Sequence, residues 1–161
     1  MLIARCAAVL LFGLAACSST PKTTNPPDGF PDLGAFTAVD PEDFKVSGTS
    51  FVSPDQIDCV LDFGPDSVTV CNGMIRGIPT SVPGTGCILV RKPDPSRAGS
   101  PYAFEHSGRA CTSSRAVPME AGRKLVGKNS TCAVGDDGLV ACIDADNKHG
   151  FVLKPSGSWT F

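Results

Sequence analysis

Six cysteines stand between residues 59 and 142: Cys59, Cys71, Cys87, Cys111, Cys132 and Cys142. Thiols in this number can form disulfides, hold a metal as thiolates or act as nucleophiles, and their spacing separates these uses. No C-x-x-C pair occurs, so the zinc pattern is missing. The stretch TCAVGDDGLVACID, Thr131 to Asp144, places an Asp-Gly turn signal between two β-prone runs and reads as a hairpin. In it Cys132 faces Cys142 and Val134 faces Val140. The stretch CVLDFGPDSVTVC gives a second hairpin, with the turn at Gly64, Pro65 and Asp66, Cys59 opposite Cys71, and Val60 opposite Val70. Apolar residues on both faces of that hairpin predict burial on both sides. Six cysteines can pair in many ways. With two hairpins closed, Cys87 is left to pair with Cys111 around an excursion through Pro93, Pro95, Gly99 and Pro101. No sulfur is left over as a catalytic thiol.

This arithmetic leaves out Cys6 and Cys17, and the N-terminus explains why. Arg5 precedes an apolar run from Ala7 to Leu14, which is too short to span a bilayer, since a transmembrane helix needs ~20 predominantly apolar residues. A charged start, a short apolar core and small residues are the layout of an export signal, here residues 1–16. Leu14, Ala15, Ala16 and Cys17 resemble the bacterial lipobox. The resemblance implies that the leader, with Cys6, is removed before Cys17, and that Cys17 carries a diacylglycerol and an acylated amino terminus. Two or more acyl chains anchor a protein stably. The implied location is the cell membrane, on the extracytoplasmic face, where disulfides persist.

Residues 17–31 contain SSTPKTTNPPDGFP and read as a tether rich in Ser, Thr and Pro, able to extend to ~40 Å. A single domain is expected over 32–161. It begins with an arm at 32–50 that packs Phe36 and Phe44 on the body. Nine short β-prone runs then recur between Gly and Pro turn signals: Phe51 to Val52, Ile57 to Leu61, Ser67 to Cys71, Cys87 to Val90, Tyr102 to Phe104, Leu125 to Val126, Thr131 to Val134, Leu139 to Ile143 and Phe151 to Leu153. This pattern predicts an all-β fold, a small antiparallel sandwich or barrel-like domain of disulfide-stapled hairpins. Only Met119 to Val126 has a helical look, and Gly122 interrupts it.

Charge is unevenly spread. Residues 17–86 carry three basic and nine acidic groups, and residues 87–128 carry eight and three. Arg91, Lys92, Arg123 and Lys124 are the candidates for an anion-binding patch, to which Arg97, Arg109, Arg115 and Lys128 add. A solvated surface balanced by the acidic first third is the simpler reading. Nucleic acid is not an expected partner.

Other chemistry is thin. Asp144, Asp146 and Asn147 begin like a calcium loop, but Lys148 and His149 stand where that loop needs an oxygen ligand and Gly. Gly84-Thr85-Gly86 lacks a dinucleotide fingerprint. The histidines are His106 and His149, and no G-x-S-x-G elbow supplies a nucleophile. No cofactor and no metal site is expected. The functional expectation is a membrane-anchored, non-catalytic binding or structural module for an envelope protein, glycan or lipid. The alternative is an envelope hydrolase using His149.

The chain resembles an uncharacterised six-cysteine domain of exported actinobacterial proteins, many of them lipoproteins. The residues that carry this are Phe51, Ser53 and Pro54 before Cys59, the Val70-Cys71 pair, Leu139 to Cys142, and His149-Gly150-Phe151 followed by Leu153 and Phe161. The arm PDLGAFTAVDPEDF is similar to the segment that precedes such domains in mycobacterial lipoproteins. Lys148 replaces a glycine common before His-Gly-Phe, and the basic excursion replaces a tryptophan-rich middle. The resemblance implies fold and location, not a reaction.

Overall fold

The computed structural model describes residues 25–161 apart from 47, 98, 113 and 114. Cys17, segment 1–16 and the start of the tether lie outside the described residues. Twelve strands follow in order: β1 (Thr37–Ala38), β2 (Thr49–Val52), β3 (Asp58–Phe63), β4 (Val68–Gly73), β5 (Ile88–Arg91), β6 (Ala103–His106), β7 (Val117–Pro118), β8 (Arg123–Val126), β9 (Ser130–Val134), β10 (Val140–Asp144), β11 (Gly150–Leu153) and β12 (Trp159–Thr160). No α-helix occurs among the described residues; Leu33–Ala35 and Pro41–Phe44 are single 3-10 turns. The fold is all-β.

Two six-stranded sheets face each other, β1-β8-β9-β10-β11-β12 in the first and β6-β5-β4-β3-β2-β7 in the second. One core joins them, with Phe51, Leu61 and Val90 from the second sheet meeting Leu125, Val134, Val140, Phe151 and Leu153 from the first. Pairing is antiparallel except at two short edges, β1 with β8 and β2 with β7, which are parallel. All nine β-prone runs contain strands. The three strands with no expectation in the sequence, β1, β7 and β12, are two residues long and lie at sheet edges.

Three disulfides join the expected partners. Cys59 and Cys71 oppose each other directly, as do Cys132 and Cys142, with Cα atoms 4.1 Å apart in both pairs. Cys87 and Cys111 are 4.7 Å apart. The sulfurs of Cys59, Cys71 and Cys142 lie within 4.8 Å of one another, so the two hairpin bridges stack across the core, one from each sheet.

One local expectation fails. The 59–71 hairpin is not buried on both sides, because its register shifts between Val60 and Phe63. Asp62 adopts φ +54° there, and the extra residue turns Phe63 out to solvent. Met119 to Val126, whose helical look Gly122 interrupts, carries the strand expected at Leu125 to Val126. Met119 packs in the core, residues 121–122 turn, and Arg123–Val126 extends as β8, because pairing on β1 and β9 overrides a weak local pattern.

The N-terminal segment does more than link. Lys124, Ala133, Ala141, Val152 and Trp159 form one register row across the first sheet. They alternate with core residues and so face outward. Ala133, Ala141 and Val152 are nonetheless buried, because the segment crosses over them. Gly29 backs onto the Trp159 indole, Phe30 meets Phe161 edge-on at 5.7 Å, and Lys124 Nζ donates to the Leu33 carbonyl at 2.7 Å. Gly29 and Pro31 share a depression with Val152. Packing therefore begins at Gly29, before residue 32, and Phe44 of the arm reaches the core.

Gly150 explains the glycine of His-Gly-Phe. A Cβ there would lie 2.4 Å from the Cys142 carbonyl oxygen and 2.7 Å from the Phe161 ring. Gly150→Ala is expected to cost about 2 kcal/mol by overpacking and to lower the melting temperature by about 8 °C. Thermal denaturation followed by circular dichroism checks this.

Candidate functional site

The strand registers gather several chain reversals at one end of the sandwich, called the tip below. They are the β3–β4 turn, the segment between β5 and β6, the β8–β9 turn and the β10–β11 turn. Asp62 ties two of them together. Its Oδ2 accepts from the Lys128 N–H at 2.7 Å and its Oδ1 from the Asn129 N–H at 2.9 Å. Below, Thr69 and Ser130, both buried, share a hydrogen bond between the sheets at 2.5 Å.

A cleft of about 380 Å³ opens at the tip, lined among others by Asp66, Lys92, Arg97, Asn129, Asp144 and His149. Asp144 organises its floor. Lys92 Nζ donates to Asp144 Oδ2 at 2.5 Å, and the Tyr102 hydroxyl donates to Oδ1 at 2.8 Å. The paired side chains are only 14% and 16% exposed, so each needs the other to offset its lost hydration. The ammonium also sits 5.2 Å from the Tyr102 ring centroid, and that ring meets Phe151 edge-on at 5.0 Å. Burial first, then the Asp144 charge, pushes the Tyr102 phenol far above its ordinary value, so it stays a protonated donor.

His149 borders the cleft. Its Nδ1 is buried and takes no hydrogen bond among the described residues. Asp146, beside it, is held below the usual carboxylate range. Partial burial opposes this, but the Lys148 N–H and ammonium and the His149 ring outweigh it. His106 lies three residues along β6 from Ala103, at its other end, with Nδ1 3.3 Å from the Gly86 carbonyl oxygen. The two histidines are not brought together.

The basic candidates divide between sheets and partners. Arg91, on β5, pairs with Glu105 across the second sheet, and Lys92 is committed to Asp144. Arg123 and Lys124 stand on β8 opposite Val134 and Ala133. Asp144 is opposite Ser130, four residues further along β9, a run of about 13 Å. Lys124 is turned onto Leu33. The four residues do not converge on one face.

The calcium-like run Asp144 to Asn147 forms the β10–β11 turn, with the Asn147 N–H donating to the Asp144 carbonyl at 2.9 Å. The Asp144 carboxylate points instead to Lys92 and Tyr102. This grouping had no local signal, because its members are 52 and 42 residues apart. The clustered sulfurs of Cys59, Cys71 and Cys142 belong to disulfides and offer no thiolate to a metal. No helix of the described residues is long and apolar enough to cross a membrane. No family model, curated protein or solved structure matches this chain.

Proposed function

We propose that the chain is a lipoprotein of the bacterial cell envelope, anchored in the cell membrane through acylated Cys17 on the extracytoplasmic face. Its domain is a non-catalytic module that binds an envelope protein, glycan or lipid, with no role for nucleic acid. The anchor rests on the Leu14-Ala15-Ala16-Cys17 motif and the resemblance to exported six-cysteine domains. The non-catalytic reading rests on the closed circuit at Asp144. The carboxylate on the cleft floor is already engaged by Lys92 and Tyr102, and the phenol is held protonated.

Mass spectrometry of the membrane fraction is expected to find an acylated N-terminal peptide beginning at Cys17. A mature chain recovered without lipid overturns the anchor. His149→Gln is expected to leave the domain folded and to change no product released from envelope polymers. Turnover by the wild type that disappears in the variant establishes the hydrolase instead.

A further inference from the structure

The exposed large apolar side chains of the described residues are Val46, Phe63, Met74 and Val126. Three of the four lie at the tip. Phe63 ends β3, Val126 ends β8, and Val46 precedes β2, whose Thr49 pairs with Leu61. Met74 follows β4 at the opposite end, beside Leu153 and Pro155. The exposures are 55% for Val46, 57% for Phe63 and 44% for Val126, against 72% for Met74.

Two of the tip residues are held outward. The register shift at Asp62 turns Phe63 to solvent, and the Asp62 carboxylate fastens that shift to the N–H groups of Lys128 and Asn129. Val126 stands just before that turn, on the face opposite core residue Leu125. Phe63 and Val126 are thus presented from adjoining loops locked by one carboxylate. Water meets an apolar surface that the fold does not let collapse.

The N-terminal chain reaches the domain at this same end. Phe30 packs on Phe161, and Phe161 exchanges both backbone hydrogen bonds with Gly150, beside the β10–β11 turn. Pro26 and Asn147 line one depression. From Cys17 to residue 25 the chain spans at most about 29 Å, at about 3.6 Å per residue. A lipid on Cys17 therefore holds the tip within reach of the bilayer.

We propose that the tip, through Phe63, Val126 and Val46, docks on the surface of the bilayer that holds the chain. This names the partner of the module and rests on the lipid-anchor reading. Charge does not drive it. Lys45 pairs with Glu42, Lys92 with Asp144 and Lys148 with Asp146, and the side chains presented, Phe63, Val126 and Val46, are apolar.

The test uses the full mature chain, with Cys17 coupled through its thiol to a maleimide lipid in phosphatidylcholine vesicles brominated on the acyl chains. Phe63→Trp, Val126→Trp and Met74→Trp are each placed in a Trp159→Phe background. Quenching is expected to be at least about two-fold stronger at 63 and 126 than at 74, and equal at low and high salt. Equal quenching at all three positions, or none at 63, overturns docking. So does contact seen only on anionic vesicles and lost in salt. If the tryptophan variants do not fold, amide exchange of the coupled wild type is compared with Cys17→Ser beside the same vesicles. Slowing confined to residues 63–68 and 126–129 supports docking, and unchanged exchange overturns it. Because the anchor is supplied chemically, a chain unlipidated in the cell defeats the anchor reading alone, whereas a coupled chain without tip contact defeats docking alone.

Discussion

Reduction of the three disulfides is expected to unfold the domain at room temperature without any denaturant. The loops closed have sequence separations of 12, 24 and 10 residues. In the chain-entropy account each bridge contributes about 3 kcal/mol by restricting the unfolded chain. Their combined contribution is about 9 kcal/mol, comparable to the whole stability of a typical domain. The positions raise the stakes further. Cys59, Cys71, Cys132 and Cys142 are fully buried at the centre of the core, so two stacked bridges are also packing material for both sheets. Near-ultraviolet circular dichroism and amide exchange, with and without reductant, read the outcome. Removing only the Cys87–Cys111 bridge, as the double alanine variant, should be milder. It staples the start of β5 to the chain beyond β6, and Cys111 is only half-buried. A reduced chain that keeps native dispersion and slow exchange would show that the sheets stand without their staples.

The second large effect is expected at Asp144. Asp144→Ala leaves the Lys92 ammonium without its counter-charge and the Tyr102 hydroxyl without its acceptor, both in a poorly hydrated setting. Breaking one side of such a pair costs about 3 kcal/mol, a fall of about 12 °C in melting temperature. Replacing both ions, as Lys92→Met with Asp144→Leu, should be less damaging than Asp144→Ala alone, because no unpaired charge remains. The single tyrosine of the chain gives an independent readout. Burial and the Asp144 charge both hold its phenol up, so ultraviolet titration of folded Asp144→Ala should move ionisation back toward the ordinary range. A double variant as unstable as Asp144→Ala would mean that the ion pair is not the source of the loss.

The pairings that close over a few residues were legible because their physics is local. Thr131 to Asp144 has a turn signal and apolar residues at alternating positions, and these set Cys132 opposite Cys142 without reference to any remote residue. The same holds for Cys59 and Cys71, up to the point where Asp62 slips the register. That slip has a distant cause, since the carboxylate of Asp62 is satisfied by backbone groups 66 and 67 residues away. Charge was legible as a count but not as a surface. Arg91, Lys92, Arg123 and Lys124 are basic in any fold, yet two sheets and three partners divide them.

By itself, then, the sequence determined the strand-forming runs, the two hairpins and their cysteine pairs, since turn chemistry and alternation act between near neighbours. Tertiary structure alone decided the rest. Ala133, Ala141 and Val152 look like core wherever they stand, and only the crossing of Gly29 to Leu33 makes the outer face of the first sheet a buried one. Lys92, Tyr102 and Asp144 look like ordinary surface and strand residues until the two sheets face each other. Ion pairs and hydrogen bonds fall off within a few ångströms, so their partners exist only once packing has brought remote strands to that distance.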